Sequence, residues 1–73
     1  MTQDNTKFIK ACVAEIQNRE CNVRAHRIAH KYAHTKILKR RYINAINAEE
    51  RSIASLKLSY AGWTGSTYER DHA

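Results

Sequence analysis

The chain has 73 residues, with 13 lysines and arginines against seven aspartates and glutamates, a formal charge of +6. A chain this short makes one small domain, and domains of roughly 60 residues hide only about 60% of their unfolded surface, which leaves little room for an enzyme cleft. No apolar run approaches the ~20 residues a bilayer span needs, and two cysteines are too few for a disulfide framework, so a cytoplasmic, non-enzymatic protein is expected.

Proline is absent and the only glycines are Gly62 and Gly65. Residues 6–61 therefore hold no strong breaker, and the chain reads as all-α, a small three-helix domain with a long third helix. Asp4, Asn5 and Thr6 offer oxygens for an N-cap. Phe8, Ile9, Cys12, Val13 and Ile16 recur at three- and four-residue steps, which predicts a first helix over 6–18 with these side chains on one face. The polar, aperiodic NRECN of residues 18–22 predicts a connection, with Asn22 capping a second helix.

That second helix has Val23, Ala25, Ile28, Ala29 and Tyr32 as its apolar face. Leu38, Tyr42, Ala45, Ile46, Ile53, Leu56 and Tyr60 form a further stripe, rotated by roughly a quarter turn at 100° per residue. One straight helix cannot face both stripes into one core. A turn is therefore predicted over 33–35, with His34 or Thr35 capping a third helix from Lys36 to Tyr60 and Glu49, Glu50 or Ser52 as the place for a break. Ala61-Gly62 reads as its stop, since glycine accepts the left-handed C′ conformation without steric cost. The domain is expected over 1–61. The polar tail 62–73 is expected to be flexible unless Trp63 folds back.

Charge is distributed unevenly. Arg24, Arg27, Lys31, Lys36, Lys39, Arg40 and Arg41 fall in a window from Cys21 to Ala48 that holds no carboxylate. Asp4, Glu15 and Glu20 precede it, and Glu49, Glu50, Glu69 and Asp71 come after it. A basic block with acidic flanks suits a polyanionic partner, because Lys and Arg neutralise phosphates and release counterions. These seven residues are the expected nucleic-acid contacts. Arg40 is the expected base reader, its planar fork matching guanine O6 and N7.

Ile28-Ala29-His30-Lys31-Tyr32 is followed by Ala33-His34-Thr35 and then by Leu38, Tyr42 and Ile46 at inward spacing, with Lys36, Lys39, Arg40 and Arg41 between them. Over about a third of the chain this pattern resembles a helix-turn-helix DNA-binding domain. The resemblance implies a tight turn, a recognition helix in the major groove, DNA rather than RNA as partner, and regulation of transcription as the usual role.

His26, His30 and His34 stand at i, i+4 and i+8, and Cys12 or Cys21 could complete a tetrahedral zinc site with two of them. The Cys12–Cys21 gap is not a zinc-ligand spacing, no carboxylate is near to orient a ring, and the surrounding cations repel a metal ion. The histidines read as polar surface and Cys12 as core, with no metal or cofactor expected. Cys–His nucleophile chemistry would need a positioned pair and an oxyanion donor, and nothing in the sequence indicates them. Adjacent Glu49 and Glu50 point about 100° apart and make no acid–base pair.

An interfacial membrane helix wants deeper apolar anchors than the Ala and Tyr of residues 23–46. Ile37, Ile43 and Leu58, however, fall outside the apolar stripe of the third helix. A core this small cannot cover several faces of one helix, so Ile46, Ile53, Leu56 and Tyr60 are expected at a partner interface, in a homodimer or against another protein. The alternative function is a protein-interaction module or small inhibitor that grips an acidic patch or an apolar groove.

Overall fold

Three helices, α1 (Thr6–Lys31), α2 (Lys36–Thr64) and α3 (Tyr68–Asp71), make up the fold in a computed structural model that describes residues 5–72. The all-α expectation holds: no strand occurs among the described residues. Contacts between Cys12 and Leu56, Arg19 and Glu49, and His26 and Tyr42 run the length of α1 and α2. Each step down one helix matches a step up the other, so the pair is an antiparallel hairpin. The molecule as a whole extends over 56 × 19 × 16 Å.

The first two expected helices are one. The segment 18–22 is helical throughout, because the inward stripe does not stop there but changes chemistry. Cys12, Ile16 and Val23 are buried. Between Ile16 and Val23 the inward position is taken by Arg19, whose Nη1 donates to Glu49 Oε2 at 3.2 Å across the hairpin. Its Nε lies 2.8 Å from Glu15 Oε1, an ion-pair contact without hydrogen-bond alignment. A guanidinium held between two carboxylates keeps α1 in contact with α2 where an apolar residue is missing. Asn5 is the N-cap, with no side-chain cap hydrogen bond, and Thr6 is the first residue of α1; Asp4, the third expected capping candidate, lies outside the described residues.

Fusing the helices also re-aims the second apolar face. With Ile16 and Val23 inward, His26 and His30 continue on the same side and are half-buried, while Ile28 and Tyr32 are 61% and 67% exposed. Their periodicity predicts both inside, and the structure corrects that. The turn covers 32–35, one residue more than the expected 33–35, because α1 ends at Lys31 and Tyr32 is its C-cap. Tyr32 and Ala33 donate their N–H groups back to Ile28 and His30 carbonyls. Thr35, in extended conformation, caps α2 by accepting from Leu38 N at 3.1 Å.

α2 keeps its expected inward stripe and has no break at Glu49, Glu50 or Ser52. It passes through Gly62 and stops at Gly65, whose φ of 74° is left-handed and whose N–H donates to Ala61 O at 2.8 Å. The core likewise reaches beyond the boundary expected at 61. Thr67 caps the short α3, Tyr68 is buried, and Cys12, Ile16, Tyr60 and Tyr68 form one cluster with Ile9, Val13, Ile53 and Leu56 packed against it. Trp63 meets Phe8 with ring centroids 6.1 Å apart.

Polar contacts fasten α3. Tyr60 Oη and Ser66 Oγ both donate to the Asp71 carboxylate, and Lys57 pairs with Glu69 at 2.7 Å. The hydrogen bond to Asp71, reinforced by burial, pushes the Tyr60 phenol up to about 12. The same bond, with that from Ser66, holds Asp71 below the usual carboxylate range.

Candidate nucleic-acid interface

The hairpin gathers all seven sequence-predicted cations at its turn end. Arg24, Arg27 and Lys31 stand on the last turns of α1, and Lys36, Lys39, Arg40 and Arg41 on the first turns of α2; every one is exposed. At about 1.5 Å of rise per residue, each set occupies roughly 10 Å of helix or less. Residues 24–41 contain seven of the 13 cations and none of the seven carboxylates, so this end carries a formal +7 and the remainder of the chain −1.

Few of these charges are neutralised from within. Arg27 Nη2 donates to Glu50 Oε1 at 2.7 Å, and both side chains are largely open to water, where such pairs contribute only about 0–1 kcal/mol. Arg24 Nη2 lies 3.1 Å from Cys21 Sγ, and Lys31 Nζ sits 5.7 Å from the centre of the Tyr32 ring. Among the described residues, no ion pair, side-chain hydrogen bond or ring contact engages the side chains of Lys36, Lys39, Arg40 or Arg41.

For the cations that open α2 the placement is electrostatically unfavourable for stability alone. A helix N-terminus carries the positive end of the macrodipole, where cations are disfavoured by roughly 0.3–1 kcal/mol. The first turn of α2 nevertheless holds lysines and no acid. A bound anion would relieve that repulsion.

Around α2 the cations fall into two groups. Lys36 and Arg40 are one turn apart on the side opposite α1, where they line a shallow depression with Ile37. Lys39 and Arg41 point about 100° to either side of Arg40. Below Arg40, the exposed Asn44, Asn47 and Arg51 continue the same outer face. Hydropathy carried no signal for them, although counting in steps of three and four from Arg40 would have found the row.

The structure separates the histidines. His26 is half-buried beside Tyr42, ring centroids 6.3 Å apart, while His34 lies in the turn, off both helices. Among the described residues no three of His, Cys, Asp or Glu converge as metal ligands. Cys12 is a core residue whose thiol donates to Leu56 O at 3.2 Å, and burial pushes its titration up. Cys21 is exposed.

Of the expected partner stripe, Tyr60 is 4% exposed and Ile53 and Leu56 pack against its cluster, so these three belong to the hairpin's own core; Ile46 is half-buried. The large apolar residues left in water include Ile28, Tyr32 and Ile37 at the turn end, and Phe8, Leu58 and Trp63 towards the open end. No helix among the described residues is long and apolar enough to cross a membrane. No family model, curated protein or solved structure matches the chain.

Proposed function

We propose that this protein binds nucleic acid, DNA in preference to RNA, through the cationic turn end of its hairpin. One observation carries the reading: a surface of formal charge +7 on a chain of formal charge +6, concentrated at one end and almost without internal partners. Arg24, Arg27, Lys31, Lys36, Lys39, Arg40 and Arg41 make the contact surface, and a regulatory role in transcription is the use such a module serves most often. Self-association through the open end, where Phe8, Leu58 and Trp63 are exposed, would leave the turn end of each copy free for the polymer.

The test is a titration of duplex DNA at several salt concentrations. Six cations not held in an ion pair correspond to a slope of log K against log salt of about −5, at roughly 0.9 per phosphate. Lys39→Glu/Arg40→Glu/Arg41→Glu should abolish binding while leaving the helical circular dichroism intact. Absence of binding at low salt by the parent protein removes the reading.

A second reading rests on Ile28, Tyr32 and Ile37 standing exposed among the same cations. Apolar side chains ringed by positive charge also fit an acidic, grooved protein partner. An interaction module of that kind ignores DNA, and the apolar share of its affinity, carried by Ile28, Tyr32 and Ile37, survives high salt.

A further inference from the structure

We propose that the outer face of α2 reads base sequence in the major groove of duplex DNA, with Arg40, Asn44 and Asn47 on base edges. Lys39 and Arg41 take the phosphates on the two sides of the groove. The proposal rests on the nucleic-acid reading above and names both the form of nucleic acid and the side chains that discriminate sequence.

The argument begins with direction. At about 100° per residue, Lys36, Arg40, Asn44, Asn47 and Arg51 all lie within roughly 40° of one line along α2. That line faces away from Tyr42, Glu49 and Leu56, the residues that contact His26, Arg19 and Cys12 of α1, so α1 sits behind the row and leaves it clear. Arg40, Asn44 and Asn47 are exposed, and no intramolecular hydrogen bond engages their side chains among the described residues. Asparagine is a poor helix former, because its amide competes for the backbone. Two free asparagine amides on the solvent face of an unbroken helix therefore do nothing for the fold.

Their chemistry fits base edges. An Asn amide pairs in bidentate fashion with adenine N6 and N7, and an Arg fork with guanine O6 and N7. Arg40 to Asn47 spans about 10 Å at 1.5 Å per residue, close to three base pairs at roughly 3.4 Å each. Lys39 and Arg41, splayed to either side, are placed for the two phosphate walls of a groove about 12 Å wide. Lys36 and Arg51, at the ends of the row, meet the backbone where a straight helix leaves the curving groove. The carboxylate flanking this row, Glu50, pairs with Arg27 at 2.7 Å, which offsets part of its repulsion from the phosphates. A-form RNA has a major groove too deep and narrow for a helix, so the partner is B-form DNA.

The experiment selects binding sites from a randomised DNA duplex, then compares selected and scrambled duplexes by fluorescence anisotropy at fixed salt. The parent protein should prefer the selected duplex by about a hundredfold. Asn44→Ala and Asn47→Ala should each lower that ratio roughly tenfold, leave scrambled-duplex affinity within about twofold, and leave the melting temperature unchanged or higher. Lys39→Gln and Arg41→Gln should weaken both duplexes alike and reduce the salt slope by about one each. Failure to enrich any sequence, with steep salt-dependent binding to scrambled DNA, overturns this inference and spares the charge-based reading. Tighter binding to single strands, to an RNA duplex or to anionic vesicles also overturns it. No binding to any nucleic acid removes both.

Discussion

Ile16 is the side chain on which the hairpin most depends. It is fully buried, 0% exposed, between Cys12, Tyr60 and Tyr68. Ile16→Ala deletes three carbons, worth about 2.4 kcal/mol at roughly 0.8 kcal/mol for each buried methylene. The cavity left behind adds to this, which places the loss near 3–4 kcal/mol, inside the range of about 2–5 seen for such truncations. A chain of 73 residues has a total stability of about 4–11 kcal/mol at 0.05–0.15 kcal/mol per residue, so one substitution removes a large share. Each kcal/mol shifts the melting temperature of a small domain by about 4–8 °C, which gives a fall of at least about 12 °C by circular dichroism at 222 nm. Ile16→Val should cost about 1 kcal/mol. Ile37→Ala, at a site 75% exposed, should stay within about 0.5 kcal/mol. Equal losses at positions 16 and 37 would refute the placement of the core.

The two glycines should respond to alanine with opposite signs. Gly62→Ala fills open space in a helix interior and should stabilise by about 0.5–1 kcal/mol, whereas Gly65→Ala forces a side chain into the left-handed region at φ 74° and should cost about 1–2 kcal/mol; thermal melts read both. The docking of α3 should depend on pH at both extremes. Tyr60, raised to about 12, contributes fully below the ordinary tyrosine value of about 10 and loses its contribution as pH rises through its folded value. Asp71, lowered, contributes above the ordinary value of about 3.9 and loses its contribution as pH falls through its lower folded value. Near-ultraviolet circular dichroism should show a plateau between these limits, and Tyr60→Phe should make the alkaline fall shallower.

Much of this architecture was legible in the sequence. The absence of proline, the Thr35 cap and the stripe from Leu38 to Tyr60 located the turn and the long helix after it, and Ile37, Ile43 and Leu58 are exposed as their off-stripe positions required. The continuity of α1 was not legible, because Arg19 occupies an inward position and reads as polar; only Glu15 and Glu49, one of them on the other helix, make it a core-facing side chain. That misreading set the wrong face for Ile28 and Tyr32. Choosing Gly65 over Gly62 as the stop depended on Thr64, Thr67 and Tyr68 folding back, a tertiary matter invisible to local spacing. For the candidate site, the cationic block was legible by composition. Its gathering at one end required knowing that the turn folds 24–31 beside 36–41, and the row of Asn44 and Asn47 emerges only once the side facing α1 is known.

A rod 56 Å long with its excess charge at one tip has an electric moment along its axis. The field of a polyanion therefore exerts a torque on the molecule, rotating it tip-first before any contact forms. At about 0.1 M salt that field decays over roughly 10 Å, a small fraction of the rod, and pre-alignment fades. Ionic strength should accordingly act on how fast encounters succeed more than on how long they last.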